Sequence, residues 1–279
     1  LKKSLKIKRS KLKKVTFNSY LYIVCFVKIR RKKTKQTKIN KNFPVNERNH
    51  NFNKELLFET SSSHDVIVLI GQSNSANSVI SKPYPPSKHL NYLNNKTYFL
   101  LNPVLGANGD KDCVAPAIAK KLKSKKPIIF LTNGWGGTSI YDWSHPKSML
   151  TKYLRNNLKN LLKKHHLKYI IWIQGESDNN TDVDYVKEFN LFKQNLLKGL
   201  NKNKIKKLKY IVTQTSICGS KRDEVLNRQQ KELAKEPNIT VTNTTDNLDI
   251  NYRFDDCHFN KFGTEKIAVE IAKIINNST

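Results

Sequence analysis

Ser73, Asp255 and His258 are the residues of this chain whose types and placement fit a single piece of chemistry. A serine hydroxyl is a poor nucleophile until an imidazole takes its proton, and the imidazole works best when a carboxylate fixes its tautomer and stabilises the imidazolium. Ser73 stands in the turn Gly71-Gln72-Ser73-Asn74, directly after the apolar run Val66 to Ile70. Asp255 and His258 lie three residues apart in one late segment, FDDCHFN. Together they are the parts of an activated serine nucleophile, and the chain reads as a hydrolase. Gly, Ser and Asn are ordinary turn residues, so the GQSN turn taken alone says little.

Acyl transfer also needs donors for the developing oxyanion, and two further segments offer them. Ile128 to Thr132 is a second apolar run that opens into Asn133-Gly134-Trp135-Gly136-Gly137-Thr138-Ser139, where glycines let backbone N–H groups approach a ligand. Tyr169 to Ile173 is a third run, ending in Gln174-Gly175-Glu176-Ser177-Asp178. Three runs thus end in polar, chemistry-bearing loops, which is where an open parallel sheet builds a site. Between and after them the pattern alternates. Helices are expected near Val114–Lys123, Pro146–Lys164, Val183–Asn201, Asp223–Lys235 and Lys261–Ile275, and further strands at Lys209–Thr215 and Ile239–Thr242. Lys82 to Asp112 reads as a long loop rich in Pro and Tyr. The fold class is α/β, a three-layer α/β/α sandwich around a parallel sheet of about five strands.

GQSN, GGTSIYDW, WIQGESD and DxxH, in this order, resemble the blocks of the SGNH (GDSL) hydrolase superfamily, and the GQSN and QGESD wording is similar to its sialate O-acetylesterase and acetylxylan esterase branch. The resemblance covers roughly Val66 to Asn276. It implies a flavodoxin-like strand order, Ser73 as nucleophile with His258 and Asp255 as its partners, and an oxyanion hole made by the N–H groups of Ser73 and Gly136, with Gly137 as the near alternative. The superfamily's third donor is an Asn in a GxND block, which this chain lacks. Gln174 takes that place by the wording of the branch, and Ser177 by simple alignment. The implied substrate is an acylated carbohydrate, most of all an O-acetyl ester, with no cofactor and no metal. The alternatives are a lipase-like or thioesterase member of the superfamily, and a retired hydrolase that binds a polyanion or glycan.

Gln72, Asn74, Trp135, Trp143 and Glu176 are expected on the substrate side, with Gln72 and Asn74 also holding the nucleophile turn. Stacking on a sugar ring and a hydrophobic lid are equally open for Trp135 and Trp143, whereas Trp172, inside a strand, reads as core. Glu176 and Asp178 suggest a glycosidase-type carboxylate pair or, better, support for the crevice. His165 and His166 read as a solvated helix cap.

Residues 1 to 50 hold seventeen Lys or Arg against the single acid Glu47, so +16 of the chain's +29 lies in this arm. Residues 1–55 are therefore expected to be a disordered basic arm that contacts an anionic polymer or membrane surface, with residues 56–279 as the catalytic domain. A Lys- and Asn-rich composition also arises without any selected partner, and nothing predicts a specific nucleic acid. Tyr20 to Val27 has the length of a signal-peptide core but no small-x-small cleavage site behind it, so secretion, membrane association and a cytoplasmic location all stay open. Cys25, Cys113, Cys218 and Cys257 have no metal-ligand spacing, and a disulfide such as Cys113 to Cys257 is compatible with an oxidising compartment.

Overall fold

Val66, Val68 and Ile70 turn to one side of the first strand and Ile67 and Leu69 to the other, and all five are buried. A strand apolar on both faces needs cover on both faces, and that requirement organises the molecule. The computed structural model describes residues 62–278 except 216, 220, 221, 244, 246 and 247. The basic arm and the run Tyr20 to Val27 lie outside the described residues.

In chain order the elements are β1 (Asp65–Gly71), β2 (Leu90–Leu93), β3 (Lys96–Phe99), α1 (Ala115–Lys121), β4 (Ile128–Gly134), α2 (Ile140–Ser144), α3 (Met149–Leu161), β5 (His166–Ile173), α4 (Tyr185–Leu197), α5 (Lys202–Ile205), β6 (Lys209–Thr213), α6 (Glu224–Glu232), β7 (Ile239–Val241) and α7 (Lys261–Asn276). Seven strands form one sheet in the order β3-β2-β4-β1-β5-β6-β7, and only the β2–β3 pairing is antiparallel. Six strands, β2-β4-β1-β5-β6-β7, run parallel, and the five of them in β4-β1-β5-β6-β7 follow the flavodoxin-like order. The sheet is thus wider than the expected five strands. The extra pair is a hairpin inside Lys82 to Asp112, whose turn residues Asn94 and Asn95 both take positive φ (48° and 64°), as a tight hairpin turn requires.

Helices α2, α3, α4 and α6 contribute to the core on one face of the sheet, with Trp143, Trp172, Phe189 and Phe192 at its centre. On the other face α1 and α7 pack together over Ile67, Leu69, Phe130 and Ile171. Trp143 has no solvent exposure, and its ring meets Trp172 edge-on at 5.5 Å. It is therefore a core residue and not a sugar platform. Trp172 is likewise core. His165 is buried and accepts the His64 N–H at 3.1 Å on Nδ1, which corrects the solvated-cap expectation. Cys257 is bonded to Cys218, and Cys113 is a buried free thiol, so the pairing differs from the one expected.

Candidate active site

Gly71 ends β1 at φ +133°, and a Cβ there would come within 2.0 Å of the Ile173 carbonyl oxygen, so only glycine lets the chain leave the sheet at this point. Gln72 N–H then bonds Ile173 O, and Ser73 opens a one-turn 3₁₀ segment closed by Ser75 N–H to Gln72 O and Ala76 N–H to Ser73 O. This places Ser73 at the carboxyl end of β1, in a parallel sheet's usual site position. The Gln72 side chain points inward. Its Oε1 accepts from Ser177 N–H (3.0 Å) and Gly175 N–H (3.3 Å), which ties the Ser73 turn to the loop after β5.

Asp255 and His258 share one loop ahead of α7. Asp255 Oδ2 lies 2.8 Å from His258 Nδ1, while Oδ1 accepts the N–H groups of Cys257 (2.8 Å) and His258 (2.6 Å). Burial works against ionisation of Asp255, but these hydrogen bonds from His258 and Cys257 outweigh it and hold the carboxyl below the usual carboxylate range. Phe254 stacks on the imidazole, centroids 5.8 Å apart and planes 18° from parallel.

Three devices fix this loop. Asn74, fully buried, donates from Nδ2 to Glu176 Oε1 (3.2 Å) and Cys257 O (3.4 Å) and accepts Phe259 N–H on Oδ1, joining the Ser73 turn to the backbone on both sides of His258. Arg253 is buried, donates from Nη1 to Cys257 O at 2.6 Å and lies over the Phe259 ring. The Cys218–Cys257 disulfide and the bond from Gly219 N–H to Asp256 O dock the loop after β6 against it. Among the described residues no hydrogen bond joins Ser73 to His258. Such contacts in resting enzymes commonly tighten only in the substrate complex.

The glycine loop after β4 is held by Trp135 N–H to Gly71 O (2.9 Å), by Trp143 Nε1 to Thr138 Oγ1 (3.0 Å) and by a capping box between Ser139 and Asp142 at the start of α2. Gly136 N–H donates to Asn108 Oδ1 at 2.8 Å. Gln174 differs from expectation. Its Nε2 donates to Asp178 Oδ2 (2.6 Å) and Thr138 O (3.0 Å), with a longer approach to Gln72, and its Oε1 accepts from Tyr185 (2.7 Å). Both amide hydrogens are therefore in use inside the fold. Asp178, which also accepts Ile140 N–H, has its pKa raised to about 7, chiefly by burial.

Of the side chains expected to face substrate, Gln72, Asn74 and Trp143 are buried, and Trp135 is half-buried. Glu176 Oε2 is sealed from solvent without a partner, and burial raises that carboxyl, although the rest of the residue reaches the surface. These side chains pack inside the fold around the Ser73 turn and the loops beside it. Ser177 is exposed. Sequence reasoning did not single out Asn108, Arg253 or Tyr185. Arg253, two residues before Asp255, was within reach of inspection, whereas the other two meet the site only through the fold.

A mostly parallel α/β sheet with polar loops gathered at its carboxyl edge defines the class of fold. The family model for carbohydrate esterase, sialic acid-specific acetylesterase, matches residues 63–277, and the chain belongs to that family. It is a hydrolase of carboxylic ester bonds. Among solved structures, a protein from Arabidopsis thaliana is similar with a TM-score of 0.60 at 19% identity, covering 76% of this chain and 97% of that one. NanS is similar with a TM-score of 0.50 at 13% identity, covering 77% and 98%. No curated protein matches the chain.

Proposed function

We propose that the chain is a serine esterase that removes short acyl groups, above all O-acetyl, from carbohydrate hydroxyls through an acyl-enzyme on Ser73. His258 Nε2 takes the proton from Ser73 Oγ as the hydroxyl attacks the ester carbonyl. Asp255 keeps the other proton on Nδ1 and stabilises the imidazolium. The oxyanion forms beside the Ser73 N–H and the turn that contains Gly136 and Gly137, His258 then protonates the leaving alcohol, and water hydrolyses the acyl-serine by the same steps in reverse roles.

The observation that carries this reading is the Asp255–His258 contact of 2.8 Å on a loop that Asn74 fastens to the Ser73 turn. An imidazole oriented by a carboxylate and anchored beside a strand-end serine has the form of a general base for that serine. The acetyl preference rests on family membership. The test is hydrolysis of 4-nitrophenyl acetate and butyrate by the full chain and by Ser73→Ala and His258→Ala, followed by acetate release from acetylated glycans. Activity that favours acetate and is lost in both variants is expected. Preference for long acyl chains would redirect the reading to a lipase-like member, and equal rates in all three forms would sink the serine mechanism.

A further inference from the structure

The geometry points to Asn108 as an oxyanion donor, with its Nδ2–H bonding the negative oxygen that develops on the carbon attacked by Ser73. This deepens the serine-esterase reading and rests on it.

Asn108 belongs to the connection between β3 and α1, far in sequence from the loops that carry Ser73, Gly136 and His258. Its main chain is fixed at both ends, by Asn108 N–H to Gly134 O (3.0 Å) and by Asn77 N–H to Asn108 O (2.8 Å). The next residue, Gly109, has φ +94°, and a Cβ there would meet Asn77 O at 2.2 Å, so the bend that presents Asn108 requires glycine.

The carboxamide is pinned at one end only. Oδ1 accepts Gly136 N–H at 2.8 Å, while Nδ2 bonds no described residue. A planar amide held by its oxygen has its N–H directions fixed as well. A Cβ built on Gly136 would lie 3.6 Å from Ser73 Cβ, 3.7 Å from Asn108 Oδ1 and 3.8 Å from Asn108 Nδ2, so the nucleophile and the carboxamide border the same small space. Gln174 cannot serve that space, because its two amide hydrogens are taken by Asp178 and Thr138. In this arrangement the Gly136 N–H acts as the anchor that aims Asn108, and the oxyanion meets Ser73 N–H and Asn108 Nδ2–H.

Asn108→Asp is the informative variant. It keeps an oxygen for the Gly136 N–H and the side-chain shape, but removes the donor and sets a carboxylate against the oxyanion. With 4-nitrophenyl acetate, kcat is expected to fall roughly 10²- to 10³-fold or more with KM little changed, and Asn108→Ala to fall less than Asn108→Asp. A boronic acid that mimics the tetrahedral state should lose affinity in parallel with kcat/KM across the wild type and both variants, while the melting temperature of Asn108→Asp stays near the wild type. A merely structural residue would move the melting temperature and leave that parallel absent. Ser73-dependent activity that survives Asn108→Asp within threefold, or a rise in kcat for Asn108→Ala, which would make the carboxamide a plug, overturns the assignment alone. Wild-type activity that survives Ser73→Ala overturns the esterase reading and this assignment with it.

Discussion

Glu176 is tied to the His258 loop through Asn74. Its Oε1 accepts from Asn74 Nδ2, the same nitrogen that bonds Cys257 O beside the imidazole, while Oε2 is buried and unpaired. Burial raises its pKa and so disfavours a second full negative charge at this site. What it does need is an acceptor for Asn74. Glu176→Gln keeps that acceptor and removes the titrating proton, and its kcat/KM is expected to stay within about threefold of the wild type. Glu176→Ala leaves Asn74 short of a partner and opens a cavity, at a cost of ~1–3 kcal/mol in stability with a larger loss in kcat than in KM. Denaturant unfolding and acetyl-ester kinetics on both variants separate the cases, and a Gln variant as impaired as the Ala variant would give the carboxylate charge a direct role. The chemistry of the QGESD loop was visible in the sequence, but its direction was not. The residue types pointed to carboxylates that support the site, and the fold shows how: Glu176 accepts from Asn74, and Asp178 accepts from Gln174 and from Ile140 N–H.

The elements legible beforehand were those whose signal is repeated along the chain. β1, β4, β5 and β6 are long apolar runs covered on two faces, and α7 repeats its apolar residues at Ile267, Ile271 and Ile275. The β2–β3 hairpin was missed because each strand has four residues, too few for a period to show, although the Asn94-Asn95 pair between them was a usable turn signal. Helix α2 has only five residues and hid behind the glycine loop, even though Ser139 and Asp142 spell its capping box. The disulfide was beyond sequence reasoning, since Cys218 follows β6 while Cys257 lies in the loop before α7, and only the packing of those loops brings them together. It closes 39 residues, for which loop-closure entropy gives about 4 kcal/mol. Cys218→Ser should therefore unfold at lower denaturant, with an unfolding free energy below the wild type's by up to that amount. Since Cys257 lies between Asp255 and His258, kcat should fall as well when the disulfide is reduced in the native protein. Unchanged stability and rate after reduction, with the free thiols counted by alkylation and mass, would show that Asn74 and Arg253 hold the loop without it.

Among the described residues, Lys123, Lys125 and Lys126 precede β4, Lys163 and Lys164 precede β5, and Lys202, Lys204, Lys206 and Lys207 precede β6, so the amino-terminal edge of the parallel strands is lysine-rich, whereas Glu176, Asp178, Asp255 and Asp256 stand at the opposite, carboxyl-terminal edge. Two buried histidines lie at the lysine edge. Burial lowers His89 to about 4, with Lys88 adding to it, and burial lowers His165 to about 4, helped by His64, Lys164, Lys204 and His166. In the unfolded chain a histidine titrates near 6.5, so as pH falls from about 6.5 toward 4 the unfolded state takes up protons that the folded state refuses, and stability drops. Asp178 has the opposite sign. Its folded pKa of about 7 exceeds the unfolded value near 3.9, so its contribution grows as pH falls through that window and fades as pH rises to 7. The histidines and the buried carboxyls Asp178 and Glu176 thus pull stability in opposite directions in this window, and removing only the histidines isolates their share. Asn keeps an acceptor near the place of Nδ1, which receives Ile128 N–H at His89 and His64 N–H at His165. The variant His89→Asn with His165→Asn should therefore lose much less melting temperature than the wild type over that range, with the difference between the two shrinking in high salt as the lysine contribution is screened. Thermal unfolding of both proteins at half-unit pH steps measures this, and parallel curves would mean that the two rings ionise alike in the folded and unfolded chain, removing the lysine edge from any part in the acid response.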